Sequence, residues 1–271
     1  MTAISRVERF QRVASTQLIV RQWLDAGVPP ICVAVAEEQT EGRGRQGRSW
    51  QAPAGSALLA SAGLRPSRVA MSHAWRLAAT TSLAMLEAAE EVAGLRKGSL
   101  WLKWPNDIAW LTSDGGLRKV AGVLGETTEE GGRVDSAVIG IGINTERAAG
   151  HLPPGLAASM TSLGELSDGR TIDRDKLLAS WLVRLEPMMA ALESGHLDVT
   201  EWSGRQVTTG RQVTLDLGEA GQVTGQATGV DAQSGALIID LGHRTTRLTS
   251  GEVIRCQLAS DRAPVTQDAA V

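Results

Sequence analysis

The sequence predicts an α+β fold: a central mixed β-sheet flanked by helices, followed by a small C-terminal β-barrel of SH3-like type. Up to residue 193, short apolar runs alternate with long segments of helical periodicity. After Gly204 the chain changes to short β-rich runs divided by glycine turns, which is typical of a small antiparallel barrel. The 271 residues, 42% of them hydrophobic and 21% charged, are enough to bury one large and one smaller domain.

The first predicted element is a helix over residues 17–26. Ser15 and Thr16 precede it with hydroxyls suited to an N-cap, and Gly27 followed by a proline pair predicts its end. Residues 31–36 then form a short apolar run bounded by turn residues and charge, which predicts a buried strand. This strand delivers Gln39 and the loop that follows it.

Three more strands and two helices are predicted in sequence order, together with the strand that ends at Pro105, in the rest of the large domain. Residues 56–64 predict a strand, residues 71–92 a long apolar helix packed across the sheet, and residues 100–104 a strand that stops at Pro105. Two strands are predicted around the turn at residues 129–132, over residues 119–126 and 133–143. The apolar spacing over residues 173–193 predicts a helix with one buried face and a kink at Pro187.

Four short runs predict the strands of the C-terminal barrel, over residues 207–217, 222–230, 237–241 and 245–248. The expected division of the chain is a large domain over residues 1–203, the SH3-like domain over residues 204–258, and a disordered tail over residues 259–271, which are small and polar with no pattern.

The loop after the first buried strand has an unusual composition. Residues 39–50 read QTEGRGRQGRSW. Glycine lets the backbone turn back and bring N–H groups close to a ligand, and the planar guanidinium of arginine binds carboxylate or phosphate through two parallel hydrogen bonds. The composition therefore predicts a mobile loop that holds anions, although on these residues alone a solvated loop or a nonspecific nucleic-acid tract fits about as well.

Two further segments narrow these alternatives. Residues 103–107 read KWPND and residues 118–126 read RKVAGVLGE. In this order and at these intervals, the three segments closely resemble the active-site segments of the biotin–protein ligase family, from about Ser15 to about Arg255. The resemblance implies that residues 1–203 form a class II synthetase-like catalytic domain that binds biotin and ATP. Because only 14 residues precede Ser15, we expect the form without an N-terminal DNA-binding domain, and hence no repressor function.

The family activates biotin with ATP to biotinyl-5′-AMP and then transfers biotin to a lysine of the biotin carboxyl-carrier domain of acyl-CoA carboxylases; the resemblance implies the same here. The obstacle in the first step is a carboxylate approaching an anionic α-phosphate. Fixed cations and a magnesium ion cancel this repulsion, and a dry pocket strengthens their effect. Such a reaction needs positioned charge more than a protein nucleophile, which matches a sequence with Arg/Lys motifs and no Ser-His-Asp or Cys-His set in view.

The resemblance also implies a role for each matching residue. The catalytic candidates are Lys119, which would bridge the biotin carboxylate and the phosphate, Arg43 and Asp107. The implied biotin-binding residues are Ser15, Thr16, Gln17, Gln39, Arg43, Gly44, Arg45 and Lys119. The implied ATP-binding residues are Arg43, Arg45, Trp50, Lys103, Asn106 and Asn144. Asp107 is the implied magnesium ligand, since a hard cation prefers carboxylate oxygen.

Several of these residues have a second interpretation. Ser15 or Thr16 could act only as a helix cap, and Lys119 could be a surface lysine at a strand end. Gln17 stands where the family usually has asparagine, so its longer amide could reach the same partner or face solvent. Trp50 could cover the ligand as an apolar lid or pack at the start of a strand, and Arg48 is interpreted as a loop-surface charge.

Other candidate positions match less closely. Gly140 and Gly142 lie on an otherwise apolar strand, where glycine indicates either close approach of a flat ligand or tight packing against the long helix. Glu252 and Arg255 lie in a part of the small domain where the family can contact ATP.

Composition excludes other classes of protein. The formal net charge of −3 gives no overall basic field that would draw the chain onto DNA or a membrane. Cys32 and Cys256 are far apart, which argues against a disulfide framework or a zinc site and favours two buried thiols in a reducing cytosol. Neither a signal region nor an apolar stretch of membrane-spanning length is present, so a soluble, cytoplasmic protein is expected.

Alternative functions remain at this stage. A lipoate–protein ligase shares the fold and the two-step logic, but the order of the loop and the KWPND segment favours biotin. A noncatalytic biotin-binding sensor is disfavoured by the presence of Lys119 and Asp107, and a nucleic-acid-binding protein by the charge balance. The sequence leaves the oligomeric state open between a monomer and a weak homodimer.

Overall fold

Seven strands form the larger of two sheets in the computed structural model, which describes residues 4–146 and 154–258. The strand order is β1-β2-β3-β7-β6-β5-β4. Strands β1 and β2 run parallel and every other neighbouring pair is antiparallel, so the sheet is mixed as predicted. The strands are β1 Arg6–Val13, β2 Cys32–Gln39, β3 Ala57–Leu64, β4 Leu100–Lys103, β5 Asp107–Leu111, β6 Leu117–Glu130 and β7 Arg133–Asn144.

Helices cover both faces of this sheet. Successive side chains of a strand point to opposite faces, and β2 shows it: Val33 and Val35 belong to the core beneath α2 and α5, whereas Cys32 and Ala34 pack with α1. The strand is therefore apolar on both sides, which explains its continuous apolar run. The helices are α1 Thr16–Asp25, α2 Trp75–Val92, α3 Pro154–Ser159, α4 Leu163–Leu166, α5 Arg174–Glu193 and α6 Val199–Gly204.

The second sheet has five antiparallel strands in the order β11-β10-β9-β8-β12. They are β8 Arg211–Asp216, β9 Gln222–Val230, β10 Leu237–Asp240, β11 Thr245–Leu248 and β12 Glu252–Leu258. The SH3-like antiparallel unit is confirmed, but its closure into a barrel is not. Closure requires the two edge strands to pair, and within the described residues β11 and β12 do not; the sequence pattern predicts strands but not this pairing.

A buried joint connects the two sheets. The Arg205 guanidinium donates to the Glu90 carboxylate of α2 at 3.0 Å and to the Leu100 carbonyl at 3.1 Å. The Trp75 and Trp104 indole N–H groups each donate, at 3.1 Å, to carbonyls of the turn before β10, those of Gln233 and Gly235. The Arg205 contacts fix the segment that leads into β8, and the indole contacts hold the small sheet against the end of the large one.

Most of the predicted elements are confirmed, namely α1, β2, β3, α2, β4, the β6–β7 pair and α5. Strands β1, β5 and β12 were not predicted, and β8 begins at Arg211 rather than at residue 207. Helix α5 continues through Pro187 without a break. The predicted tail over residues 259–271 lies outside the described residues. None of the helices in the described part of the chain is long and apolar enough to cross a membrane.

Both cysteines are free, as expected, and burial raises the pKa of each thiol. Cys32 is fully buried between β1 and β3, whereas Cys256 is only half-buried in β12, so the prediction of two buried thiols is correct for Cys32 alone.

Candidate active site

A cavity of about 400 Å³ lies on the α1 face of the large sheet, beneath the loop that follows β2 and beside the start of β12. It brings together segments that are distant in sequence. Eleven of the predicted site residues line it: Thr16, Gln17, Gln39, Arg43, Gly44, Arg45, Trp50, Lys103, Asn106, Asp107 and Lys119.

The loop forms a narrow hairpin over this cavity. Gly44 N–H donates to the Arg48 carbonyl at 2.7 Å, and Trp50 N–H donates to the Gly42 carbonyl at 2.8 Å. A Cβ on Gly42 would collide with the Trp50 carbonyl oxygen, and Gly47 has a φ of +73°, a conformation that favours glycine. Two of the loop glycines are thus required by the geometry of the hairpin itself.

The three loop arginines each contact a different partner. Arg43 forms an ion pair with Glu126 of β6 at 3.2 Å, and Arg48 forms one with Glu252 of β12. Arg45 donates to the Gly251 carbonyl at 3.1 Å. Burial lowers the pKa of Arg45 from its ordinary value and nearby Asp107 opposes that shift; an arginine remains charged at neutral pH.

Arg48 was interpreted as a loop-surface charge, and its side chain is indeed more than half exposed. The structure adds that it lines the cavity and reaches the small sheet through Glu252. The arginine loop therefore contacts both sheets.

Lys119 and Asp107 face each other on neighbouring strands at the floor of the cavity. The Lys119 ammonium lies 2.7 Å from Asp107 Oδ1 and 5.1 Å from the centre of the Trp50 ring. Both side chains are mostly buried, and no hydrogen bond within the described residues adds to this ion pair. The lysine thus keeps donor capacity for a further partner, since an ammonium carries three N–H groups.

The KWPND segment turns from β4 into β5 at the edge of the cavity. Asn106 is held there by two hydrogen bonds to Val123. Its side-chain amide donates to the Val123 carbonyl at 2.9 Å, and its backbone carbonyl accepts from the Val123 N–H at 2.8 Å. The Lys103 ammonium donates to the Val253 carbonyl at 3.3 Å. The start of β12 therefore completes this side of the site.

A cluster of uncharged polar side chains lies at the other end, where α1 begins. Gln39 Oε1 accepts from the backbone N–H of Thr16 at 2.7 Å and from its hydroxyl at 3.0 Å, and that hydroxyl lies 2.7 Å from Ser61 Oγ. Gln17 Nε2 donates to the Leu124 carbonyl at 3.1 Å, which leaves its own carbonyl oxygen without a partner in the described residues. This end offers hydroxyl and amide groups rather than charge.

Two glycines of β7 leave space for neighbouring side chains beneath the cavity. A Cβ on Gly140 would lie 2.9 Å from the Gln17 side chain, and one on Gly142 would lie 2.6 Å from the Trp50 indole. Packing against the long helix was therefore the wrong explanation for these two glycines. They make room for Gln17 and Trp50, two side chains that themselves line the cavity.

Ser15 and Asn144 are the two predicted site residues outside the cavity lining. Ser15 is in the N-cap position of α1, but its buried hydroxyl makes no capping bond and has no partner in the described part of the chain. Asn144 ends β7 and donates to the Thr161 carbonyl at 3.0 Å.

Sequence reasoning missed Ser61 and Met160, which also line the cavity. Ser61 had a signal, because it is the one polar residue in the fully buried strand ALLASAGL. Met160 had none: it reaches the site through a bridge to Lys119 from a distant segment.

Known proteins match this chain along most of its length. Residues 9–144 match the Biotin/lipoate A/B protein ligase family and residues 208–255 match the Biotin protein ligase C terminal domain. The chain is 31% identical over 224 residues to the biotin–[acetyl-CoA-carboxylase] ligase of Mycobacterium tuberculosis, covering 82% of this chain and 78% of that protein. It is 33% identical over 174 residues to the bifunctional ligase/repressor BirA of Bacillus spizizenii, covering 64% of this chain and 50% of that protein, so it spans about half the length of this second relative.

Among solved structures, the biotin protein ligase from Aquifex aeolicus in complex with biotin and ATP superposes with a TM-score of 0.73 at 28% identity. The superposition covers 92% of this chain and 97% of that one, so both sheets take part in the likeness.

Proposed function

The chain belongs to the biotin/lipoate A/B protein ligase family, and we propose that it is a biotin–protein ligase that acts in the cytoplasm. It activates biotin with ATP to biotinyl-5′-AMP and releases pyrophosphate. It then transfers the biotinyl group to a lysine of a carboxylase biotin-carrier domain and releases AMP. The observation that carries the proposal is the Lys119 ammonium, mostly buried on the cavity floor with Asp107 as its ion-pair partner.

The first step brings two anions together, the biotin carboxylate and the α-phosphate of ATP. Lys119, Arg43 and Arg45 all line the cavity, so their positive charges act on both anions at once. Lys119 exchanges Asp107 for the reacting oxygens and stabilises the charge that develops on the phosphate as the mixed anhydride forms. Arg43 and Arg45 hold the phosphate from the loop side.

The biotin ring lies at the uncharged end of the cavity. A ureido ring offers N–H donors and one carbonyl acceptor, and this end supplies the Gln39 amide N–H groups and the Gln17 carbonyl oxygen to meet both kinds. Ser15 joins this set when the ligand draws the start of α1 toward it, because its buried hydroxyl has no partner within the described residues.

The nucleotide lies between the KWPND segment and the loop, near Lys103, Asn106 and Trp50. Asp107 lines the cavity and would hold a Mg²⁺ ion, because a hard cation prefers carboxylate oxygen. The ion neutralises phosphate charge when bound. Asn144, which lies outside the cavity lining, belongs to the ATP set only if the nucleotide extends toward the end of β7.

The loop keeps water from the adenylate, which is a hydrolysable anhydride. Its anchors lie on both sheets, Glu126 on β6 and Glu252 on β12, so the small sheet contributes to closing the site. We accordingly assign residues 1–203 to catalysis and residues 204–258 to a domain that supports the loop and the nucleotide. The carrier lysine attacks the adenylate from the open side of the cavity.

The test is transfer to a purified biotin-carrier domain with ATP and magnesium, with biotin or lipoate supplied in parallel and the modified lysine detected by mass. The proposal expects a biotin-sized mass increase that requires ATP. Lipoyl transfer would indicate a lipoate ligase instead, and binding of biotin without transfer would indicate a sensor.

A further inference from the structure

Three polar side chains are connected by hydrogen bonds at the wall of the cavity. Ser61 lies in β3, Thr16 begins α1 and Gln39 ends β2. Ser61 Oγ lies 2.7 Å from Thr16 Oγ1, which lies 3.0 Å from Gln39 Oε1. Ser61 belongs to the wall of the cavity, but its side chain is inaccessible to solvent behind its neighbours, so in this conformation it acts on a ligand through them.

The Thr16 backbone N–H fixes the direction of each hydrogen bond among these three side chains. The Thr16 backbone N–H can only donate, so the Gln39 atom 2.7 Å from it is the carbonyl oxygen Oε1. That oxygen can only accept, and the Thr16 hydroxyl therefore donates its single proton to it. With this proton committed, the contact between Thr16 and Ser61 has one remaining direction, in which Ser61 donates.

This order leaves the Gln39 amide as a donor toward the cavity. Both lone pairs of Gln39 Oε1 are taken by Thr16, while Gln39 Nε2 has no acceptor within the described residues. Gln39 itself lines the cavity. Rotation of the Gln39 side-chain amide by half a turn would place its N–H groups against the Thr16 N–H. That buried donor would then have no acceptor, which raises the free energy of the folded protein.

We infer that Ser61 is a positioning residue that holds the Thr16 hydroxyl, and through it the Gln39 amide, with its N–H groups toward the cavity, so that the site selects a ring bearing a carbonyl oxygen. The inference rests on the proposed function, because the ureido ring of biotin carries such a carbonyl. The dithiolane ring of lipoate does not. Ser61 thus contributes to the choice between the two substrates without touching either.

The first experiment compares Ser61→Ala with Ser82→Ala, a matched control whose buried hydroxyl donates to the Ala78 carbonyl within α2. Calorimetry gives the dissociation constants of biotin and 2-iminobiotin, in which an imino group replaces the ring carbonyl oxygen. Ser61→Ala is expected to raise the dissociation constant of biotin about three- to tenfold and that of 2-iminobiotin by a smaller factor. It should leave kcat at saturating biotin within about twofold of the wild-type value. Equal weakening of both ligands, a change in kcat alone, or affinities like those of Ser82→Ala would overturn the inference.

A double-mutant cycle separates positioning from a general effect on folding. Thr16→Val removes the hydroxyl through which Ser61 acts, so adding Ser61→Ala to it leaves biotin affinity unchanged. Additive losses would mean that Ser61 does not act through Thr16. If the wild-type protein makes no biotinyl-5′-AMP, the proposed function is refuted. If the wild type is active and the Ser61→Ala variant binds biotin with unchanged affinity, this inference alone is refuted.

Discussion

Two ion pairs, each between a basic side chain and a carboxylate, have opposite surroundings in this molecule. At the joint between the sheets, the Arg205 and Glu90 side chains are 7% and 4% exposed. Glu90 also accepts from the backbone N–H groups of Gly98 and Leu100, and Arg205 also donates to Glu201. At the cavity, the Lys119 and Asp107 side chains are 29% and 17% exposed and have each other as ion-pair partners.

The difference separates a structural ion pair from a reactive one. Burial of two charges is tolerated only when further hydrogen bonds satisfy both groups, and the joint meets this condition. The pair at the cavity has fewer hydrogen bonds and lies against open space, so an incoming anion can replace one partner. We therefore expect changes at the joint to affect stability and changes at the cavity to affect catalysis.

The largest effect is expected at the joint. Arg205→Met leaves the Glu90 carboxylate buried without its counter-charge and should lower the free energy of unfolding by about 3–5 kcal/mol. Arg12→Met is the control, because Arg12 pairs with Glu38 on the surface, and an exposed pair contributes about 0–1 kcal/mol. Denaturant unfolding measures both. A loss below 1 kcal/mol for Arg205→Met would show that the joint pair is not structural.

The second effect is catalytic. Lys119→Ala removes the cation proposed to stabilise the developing charge, so the rate of biotinyl-5′-AMP formation should fall about 10²–10³-fold. The free energy of unfolding should stay close to that of the wild type. Lys97→Ala, which changes an exposed lysine before β4, should alter neither quantity. Normal adenylate formation by folded Lys119→Ala would refute the assignment of this lysine.

An intermediate effect is expected at Gly142, which lies beneath the cavity. Gly142→Ala places a Cβ 2.6 Å from the Trp50 indole, and overpacking of this kind costs about 1–3 kcal/mol. Because Trp50 must move within the cavity, the KM for ATP should rise as well. Gly229→Ala is the control, since no atom lies within 4 Å of its added Cβ. A Gly142→Ala variant with unchanged stability and KM would show that Trp50 is free to move.

The smallest effect is expected in the loop. Arg43 is half-exposed and pairs with Glu126, so Arg43→Ala should raise the release of biotinyl-5′-AMP into solution about three- to tenfold. Arg96→Ala, an exposed arginine outside the cavity, serves as the comparison. Chromatography of free adenylate during turnover measures the leak. Unchanged release from Arg43→Ala would count against a closing role for the loop.

Local pattern was enough to predict most of the large sheet. The long helix α2, the buried strand β2 and the β6–β7 hairpin each have a strong periodicity or turn signal. Edge strand β1 and the short strand β5 lack one, because β1 is exposed along much of its length and β5 has only five residues. Their pairing depends on neighbours that are distant in sequence.

The site was predictable where residues lie in motifs and not where contacts are long-range. The three segments located the cavity, including Lys119 and Asp107. Nothing local indicated that Arg48 would reach Glu252, or that Gly142 would face Trp50 rather than the long helix. The open edge between β11 and β12 was missed for the same reason, since strand order is a property of the folded chain.

A crystal structure of the chain with biotin and a non-hydrolysable ATP analogue would test the contrast between the two ion pairs most directly. The quantities to compare are the Lys119 Nζ to Asp107 Oδ1 distance, now 2.7 Å, and the Arg205 Nη1 to Glu90 Oε1 distance, now 3.0 Å. We expect the first pair to separate as Lys119 binds ligand oxygen, and the second to stay unchanged. A Lys119–Asp107 pair that remains intact with both ligands bound would contradict the assignment of Lys119 to the reacting oxygens.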